Sequence, residues 1–411
     1  MTSLLTRLCG AVFCVAALPA VAATFISSNN TVAGGNPLVG NYSGSTVFVG
    51  ASAFANGLPT RVPNVLVDVL APGQFNYNDQ TGGGIFAYSN SVVNVLGGSF
   101  GQTSGTGFGG GLQMMDTSSA HISGGTLQLL GINGSAAGAG GARADVSGGL
   151  VQNGVAGVAF VNQGVLNVSG GTLRASGGQS AVVAGAGGVV NISGGLVQSI
   201  SGAAISVAAG SAVTVSGGTV SGGPNGNSQR GLDIHEATTA VALLGGTVSG
   251  GLRATRLLTS SAPAVQAVLH GGVVMGGGAF AYSDAALEVW GGSYSDYSGG
   301  PASFFAMGSN TIRFFGTGLA LSGPTPGSVF DLNTYTGNYY TFTQGTLADG
   351  QNAVGLRLFD AVALGGSTGG LGGGFTLSPV PEPGRGALML LALPLLAGAA
   401  RRRLQRPAFG G

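Results

Sequence analysis

The chain has 411 residues, of which 82 are Gly, with only 14 basic and 13 acidic side chains; such a make-up excludes an ordinary globular domain. Every basic residue is Arg, and Arg7, Arg385, Arg401, Arg402, Arg403 and Arg406 lie in the two terminal segments. Setting these aside with Glu382 leaves eight Arg against twelve acids, a body charge of about −4, which gives no electrostatic footprint for a nucleic acid or an anionic membrane.

The first segment reads MTSLLTR, then LCGAVFCVAAL, then PAVAA. A basic start, a short apolar core and a small-residue end are the three parts of a secretory signal peptide, with cleavage expected after Ala22 or Ala23. The alternative, an N-terminal anchor helix, needs a longer apolar span. Both cysteines, Cys9 and Cys14, fall inside this segment. The mature chain is then cysteine-free and must hold its fold in an exported compartment without disulfides.

From there to about residue 328 the chain is one phrase used many times. It is clearest in LNVSGGTLRASG (Leu166 to Gly177) and VNISGGLVQSISG (Val190 to Gly202). Glycine pairs begin at Gly97, Gly124, Gly148, Gly170, Gly194, Gly217, Gly245, Gly271 and Gly291, with weaker echoes around Gly73 and Gly316. Two and four residues before each pair stand apolar side chains, such as Val168 with Leu166 and Ile192 with Val190. The residue between them is mostly polar: Asn94, His121, Asp145, Asn167, Asn191, Thr214 and Glu288. This is period-2 alternation, and it resumes beyond the glycines at Phe100, Leu127, Val151, Leu173 and their equivalents. Each unit therefore predicts two short strands joined by a Gly-Gly bend. A helix fails on the interior glycines, each costing about 1 kcal/mol relative to Ala.

A unit of two or three short strands cannot bury its apolar face alone, and stacking like units does. The predicted fold is all-β, a parallel β-solenoid of about ten or eleven coils. Ser123, Ser147, Ser169, Ser193 and Ser216 form one outward column. Asn167 and Asn191 belong to another. In-register polar residues can exchange side-chain hydrogen bonds, or they can be small polar residues tolerated at a turn; the pattern allows either. An antiparallel cap is expected over Val329 to Leu364, with turns at Gly337-Asn338 and Asp349-Gly350, followed by a Gly-rich linker over 365–379.

The richest cluster of reactive groups is QRGLDIHEA, which holds Arg230, Asp233, His235 and Glu236. Arg253 and Arg256 follow one unit later, then Asp284 and Glu288. The 23-residue interval predicts Arg230 and Arg253 on one wall, with acids beside them. Carboxylates and arginines on a solenoid wall are what a polysaccharide lyase or hydrolase uses, so Asp233, Glu236, Arg230 and Arg253 are the catalytic candidates. A solvated outer face is the competing account. Trp290 and His270 interrupt the Ser column and are candidates for a glycan contact. His121 is expected to belong to no cluster. No metal site or cofactor is expected, and without Lys no phosphate loop can form.

The chain ends in VPEPGRGALMLLALPLLAGAARRRLQRP. Its apolar run from Ala387 to Ala400 includes Pro394 and falls short of the about 20 residues a spanning helix needs. Pro381, Glu382 and Pro383, then the apolar stretch, then Arg401, Arg402 and Arg403, resemble the PEP-CTERM sorting signal of Gram-negative bacteria. Arg385 and Pro394 are departures from that family's usual pattern. The resemblance implies export through the Sec translocon, transient retention in the inner membrane by a short transmembrane sorting helix, processing by an exosortase-type protease, and release to the cell surface or extracellular matrix. A free-standing C-terminal anchor is the alternative. The repeat body is similar in architecture to β-helix passengers of bacterial surface proteins and to pectate-lyase-like enzymes, a likeness of shape alone. The expected role is structural or adhesive, in association with exopolysaccharide. The alternatives are a polysaccharide lyase or hydrolase, and a passive scaffold without ligand.

Overall fold

A computed structural model of the chain describes residues 22–29, 36–55, 58–78, 84–104, 111–134, 141–154, 157–208, 210–223, 230–235, 240–255, 266–276, 278–282, 285–296, 300, 302–307, 311–322, 325–330, 334–363 and 374–380. All regular structure in these residues is β. The chain winds through three parallel sheets per turn. One turn runs from Leu112–Asp116 in the first sheet to Ser119–Ile122 in the second and Thr126–Leu127 in the third. The next turn repeats the order with Leu130–Gly134, Arg143–Val146 and Leu150–Asn153. About nine complete turns stack without interruption from Gly84–Ala87 to Ser293–Ser295, with less regular turns at both ends. At about 4.8 Å per turn this is a rod about 43 Å long. The expected count of ten or eleven coils is thus reduced.

The two strands flanking each glycine pair lie where the alternation predicts. Val95, Ile122, Val146, Val168, Ile192, Val215, Leu243, Leu269 and Val289 all point inward and are buried, as are Phe100, Leu127, Val151, Leu173, Val197 and Val220 across the bend. Like stacks on like: Leu166 pairs with Val190 and Val168 with Ile192 in register. Two-strand units are corrected to three. The first-sheet strands, such as Val182–Ala184 and Ile205–Val207, are only three to five residues long. They bury Val182, Ala184, Ile205 and Val207 to complete the core.

Both glycines of a pair lie against the backbone of the turn below, and the second also takes a left-handed conformation, as Gly170 and Gly171 illustrate. A β-carbon on Gly170 would come within 2.2 Å of the Ser147 carbonyl oxygen in the turn below, so the backbones touch there. A β-carbon on Gly171 would meet the Gly148 carbonyl oxygen at 2.5 Å, and Gly171 has in addition φ +70, a conformation that side-chain-bearing residues adopt at a cost.

At the C-terminal end the strand Thr311–Leu321 begins as a parallel neighbour of Ala286–Val289. Past Gly316 it runs straight on into antiparallel pairing with Thr334–Leu347 instead of bending. The Gly316 echo is therefore not a further bend. Antiparallel pairing already involves Thr325–Phe330, ahead of Val329. Gly337 and Asn338 are not a turn: they sit inside Thr334–Leu347 and pair on both sides, with Gly327 and Pro326 and with Ala361 and Asp360. Asp349 and Gly350 do turn the chain. The stretch expected as linker contains a strand, Gly374–Pro379, laid parallel to Thr311–Gly316.

Candidate functional site

The outward column of the second sheet carries polar residues at one per turn: Asp68, Asn94, His121, Asp145, Asn167, Asn191 and Thr214 are successive register partners. Their side chains bond along the axis. The Asn191 amide donates to Asn167 Oδ1 at 2.8 Å, and the Asn167 amide donates to Asp145 Oδ1 at 2.7 Å. Asn94 likewise donates to Asp68 at 2.7 Å. Asn167 thus offers a donor to the turn below and an acceptor to the turn above, and the run from Asn191 terminates on the Asp145 carboxylate.

Asp145 is the node of this ladder. Arg143 Nε lies 2.9 Å from both of its carboxylate oxygens, and His121 Nδ1 lies 3.2 Å from Oδ2. Partial burial would raise the Asp145 carboxyl. The hydrogen bonds from Arg143 and Asn167, with the charges of Arg143 and His121, outweigh it and hold the group below its ordinary range. The expectation that His121 joins no cluster is corrected. The same-register polar residues were visible in the sequence; the bonding from Asp145 to His121 and Arg143 was the part missed. The Ser column behaves differently. Ser147, Ser169, Ser193 and Ser216 are exposed, and their hydroxyls lean 3.4–3.5 Å toward carbonyl oxygens of the turn below, with no bond to one another.

A second cluster lies on the outer side of the first sheet. Register pairs Asp233 with Arg253, a 20-residue step, which corrects the predicted pairing of Arg230 with Arg253. Arg253 grips Asp233 with two bonds, Nε to Oδ1 at 2.8 Å and Nη2 to Oδ2 at 2.6 Å. His235 Nε2 stands 3.0 Å from Oδ2, and its Nδ1 stands 3.4 Å from Thr255 Oγ1. Asp233 and Arg253 are 8% and 12% exposed at the side chain. Burial by itself would raise the Asp233 carboxyl, but the bonds and charges of His235 and Arg253 prevail and hold it far below the usual carboxylate range. A carboxylate so held is a structural anion and a poor general base at neutral pH. Arg230 is buried just before this strand, and its carbonyl oxygen accepts from the Ala204 amide. Glu236, Arg256 and Asp284 lie outside the described residues. Glu288 belongs to the second sheet, on a different wall.

His270 and Trp290 follow Ser216 and Leu244 at the corner after the second sheet. Trp290 stacks on Phe315 with ring centres 3.8 Å apart and planes at 8°, while His270 lies 5.8 Å away on a neighbouring turn. The indole N–H donates to Glu288 at 3.2 Å. One face of Trp290 is thereby covered by the chain's own Phe315, and of the two candidates His270 is the exposed one.

Of the processing residues, Ala22 and Ala23 open the first described strand, Ala22–Ile26. Pro381, Glu382, Pro383, Arg401, Arg402 and Arg403 lie outside the described residues. Among the described residues no helix is long and apolar enough to cross a membrane, and no three His, Cys, Asp or Glu side chains gather to hold a metal ion. Comparison of the chain with protein-family models, with curated proteins and with solved structures gives no match.

Proposed function

We propose that this protein is exported and works as a structural or adhesive component of the cell surface or extracellular matrix, against exopolysaccharide. The signal peptide expected before Ala23 or Thr24 and the PEP-CTERM-like tail supply the route, through the Sec translocon and an exosortase-type protease. The observation that carries the structural role is the polar ladder from His121 to Asn191. It is a regular, one-residue-per-turn array of imidazole, carboxylate and amide groups on the outer face of the second sheet, half-buried at Asp145, Asn167 and Asn191 and exposed at His121. Such an array suits many weak, repeated hydrogen bonds to a polymer of hydroxyl groups. The most reactive side chains support the same reading, since Asp233, Arg253 and His235 satisfy one another.

A glycan array, read with the cohesion of biofilm or flocs in a deletion strain, tests this. Binding to acidic or neutral exopolysaccharide and weakened cohesion are expected. Weakened cohesion without binding would indicate a passive scaffold. Absence of both effects overturns the proposal. Release of unsaturated or reducing sugars that depends on Asp233 or Arg253 would establish a lyase or hydrolase instead.

A further inference from the structure

The third sheet differs from the other two in how its polar side chains are employed. On the second sheet Asn191, Asn167, Asp145, Arg143 and His121 bond one another, and on the first Asp233, Arg253 and His235 do. On the outer face of the third sheet, Gln152, Arg174 and Gln198 are register partners in three successive turns. Gln152 and Arg174 are exposed, and Gln198 is half-buried. Among the described residues none of these three side chains makes a hydrogen bond or an ion pair, with one another or elsewhere. The other exposed arginines of the described residues are engaged: Arg61 with Asp116 at 2.6 Å, Arg143 with Asp145 at 2.9 Å, Arg313 with Glu288 at 3.7 Å, and Arg357 over the Tyr339 ring at 5.9 Å.

Charge sets this wall apart as well. Its ten described strands, from Gln74–Asn78 to Ser293–Ser295, hold one charged residue, Arg174, and no carboxylate. The second sheet's outward column carries Asp68, Asp145 and Glu288, and the first sheet carries Asp233. The body of the chain has an excess of acids, so a polyanion is repelled by most of the surface and meets an unopposed cation here. One side of the approach is open. In all nine regular turns only three residues, such as Ser169 to Gly171, separate the second-sheet strand from the third-sheet strand, so no insertion overhangs that edge.

We propose that Gln152, Arg174 and Gln198 form a binding site for a polysaccharide that carries carboxylate groups, a polyuronate. The Arg174 guanidinium takes one carboxylate through two parallel N–H bonds, a geometry that an ammonium group cannot supply. The Gln152 and Gln198 carboxamides, each with donors and an acceptor, take sugar hydroxyls on either side. Turns about 4.8 Å apart put these two carboxamides about 10 Å from one another along the axis, so the polymer lies along the rod. The site deepens the adhesive role proposed above and rests on it: it names the class of exopolysaccharide and adds a contact on the wall whose hydrogen-bonding groups are unspent.

The test uses the purified full chain, with polygalacturonate as the acidic probe and dextran as the neutral one, and measures binding at low and at physiological salt. The native chain is expected to bind polygalacturonate, less so at the higher salt, and to bind dextran more weakly. Arg174→Gln changes an exposed side chain without partners. It is expected to weaken polygalacturonate binding about tenfold with an unchanged circular dichroism spectrum. Gln152→Glu supplies a competing carboxylate beside Arg174 and is expected to weaken binding as well. Arg61→Gln removes the same charge from another part of the rod and is expected to bind as the native chain does. Polygalacturonate binding that survives Arg174→Gln, or that falls equally with Arg61→Gln, overturns the site and leaves the adhesive role standing. Dextran bound as tightly as polygalacturonate does the same. Binding to neither probe also overturns the site, and the adhesive role is then decided by the glycan array and the deletion strain.

Discussion

Gly170 and Gly171 both lie against the backbone of the adjacent turn, and Gly171 carries a second constraint. A β-carbon on Gly170 would meet the Ser147 carbonyl oxygen at 2.2 Å, and one on Gly171 the Gly148 carbonyl oxygen at 2.5 Å. Gly171→Ala also forces a left-handed conformation on a side-chain-bearing residue, at about 1–2 kcal/mol more, and is expected to destabilise more than Gly170→Ala. Urea midpoints of the two variants check the order. Asp233 supplies a second test at this scale. Removing it by Asp233→Ala leaves the Arg253 charge buried, a loss of about 3–5 kcal/mol. Because the fold depresses the Asp233 pKa, its stabilisation is present above the ordinary carboxylate range, near about 4, and is lost as pH falls through and below it. Melting temperature should therefore drop on acidification in the native chain, and less of that drop should remain in Asp233→Asn.

At the scale of elements, the ladder and the cap each predict a measurable loss. Asn167→Ala takes a donor from Asp145 and an acceptor from Asn191, so it should cost about 1 kcal/mol. Asn167→Asp should cost more at neutral pH and recover in acid, since it sets a carboxylate beside Asp145. Thermal unfolding at the two pH values distinguishes them. In the cap, the Asp349 carboxylate accepts from the Gly292 amide at 2.6 Å, and its own amide donates to the Trp290 carbonyl. A β-carbon on Gly291 would meet Asp349 at 2.1 Å, so this turn fills the place that the bend of one more coil would take. Asp349→Ala should cost about 1 kcal/mol, its exposure to solvent discounting the bond, and should speed amide exchange in the Ser293–Ser295 turn before the others.

The elements also show what was legible. Inward columns were readable residue by residue, because the glycine pair restarts the register in every unit and Val168, Ile192 and Val215 then fall at a fixed offset. The first-sheet strands were not. Val182–Ala184 and Ile205–Val207 are too short for alternation to declare itself, and the connections around them vary in length. That variation also displaced the predicted Arg230–Arg253 pairing, which assumed a constant interval. Gly337 misled because glycine in a turn and glycine inside a long antiparallel strand look alike without knowledge of partners. In the candidate site, the polar column was plain at Asn167 and Asn191. Its closure on Asp145, His121 and Arg143 depended on side-chain geometry that spacing does not encode.

At the scale of the molecule, a rod of stacked turns gains stability from neighbour to neighbour. It needs no disulfide, in keeping with both cysteines, Cys9 and Cys14, lying ahead of its first strand. Its outer walls are regular, the buried Asp233 carboxylate on one of them is paired with Arg253 and His235, and its C-terminal end closes in antiparallel strands. These properties suit the surface or matrix role proposed above, and the proposed route rests on the sequence of the two terminal segments. That route is the central claim. Intact mass of the protein recovered outside the cells tests it most directly. The account predicts a chain beginning at Ala23 or Thr24 and lacking Arg401 to Arg403. A chain of the full 39.7 kDa, retained with both ends intact, would contradict it.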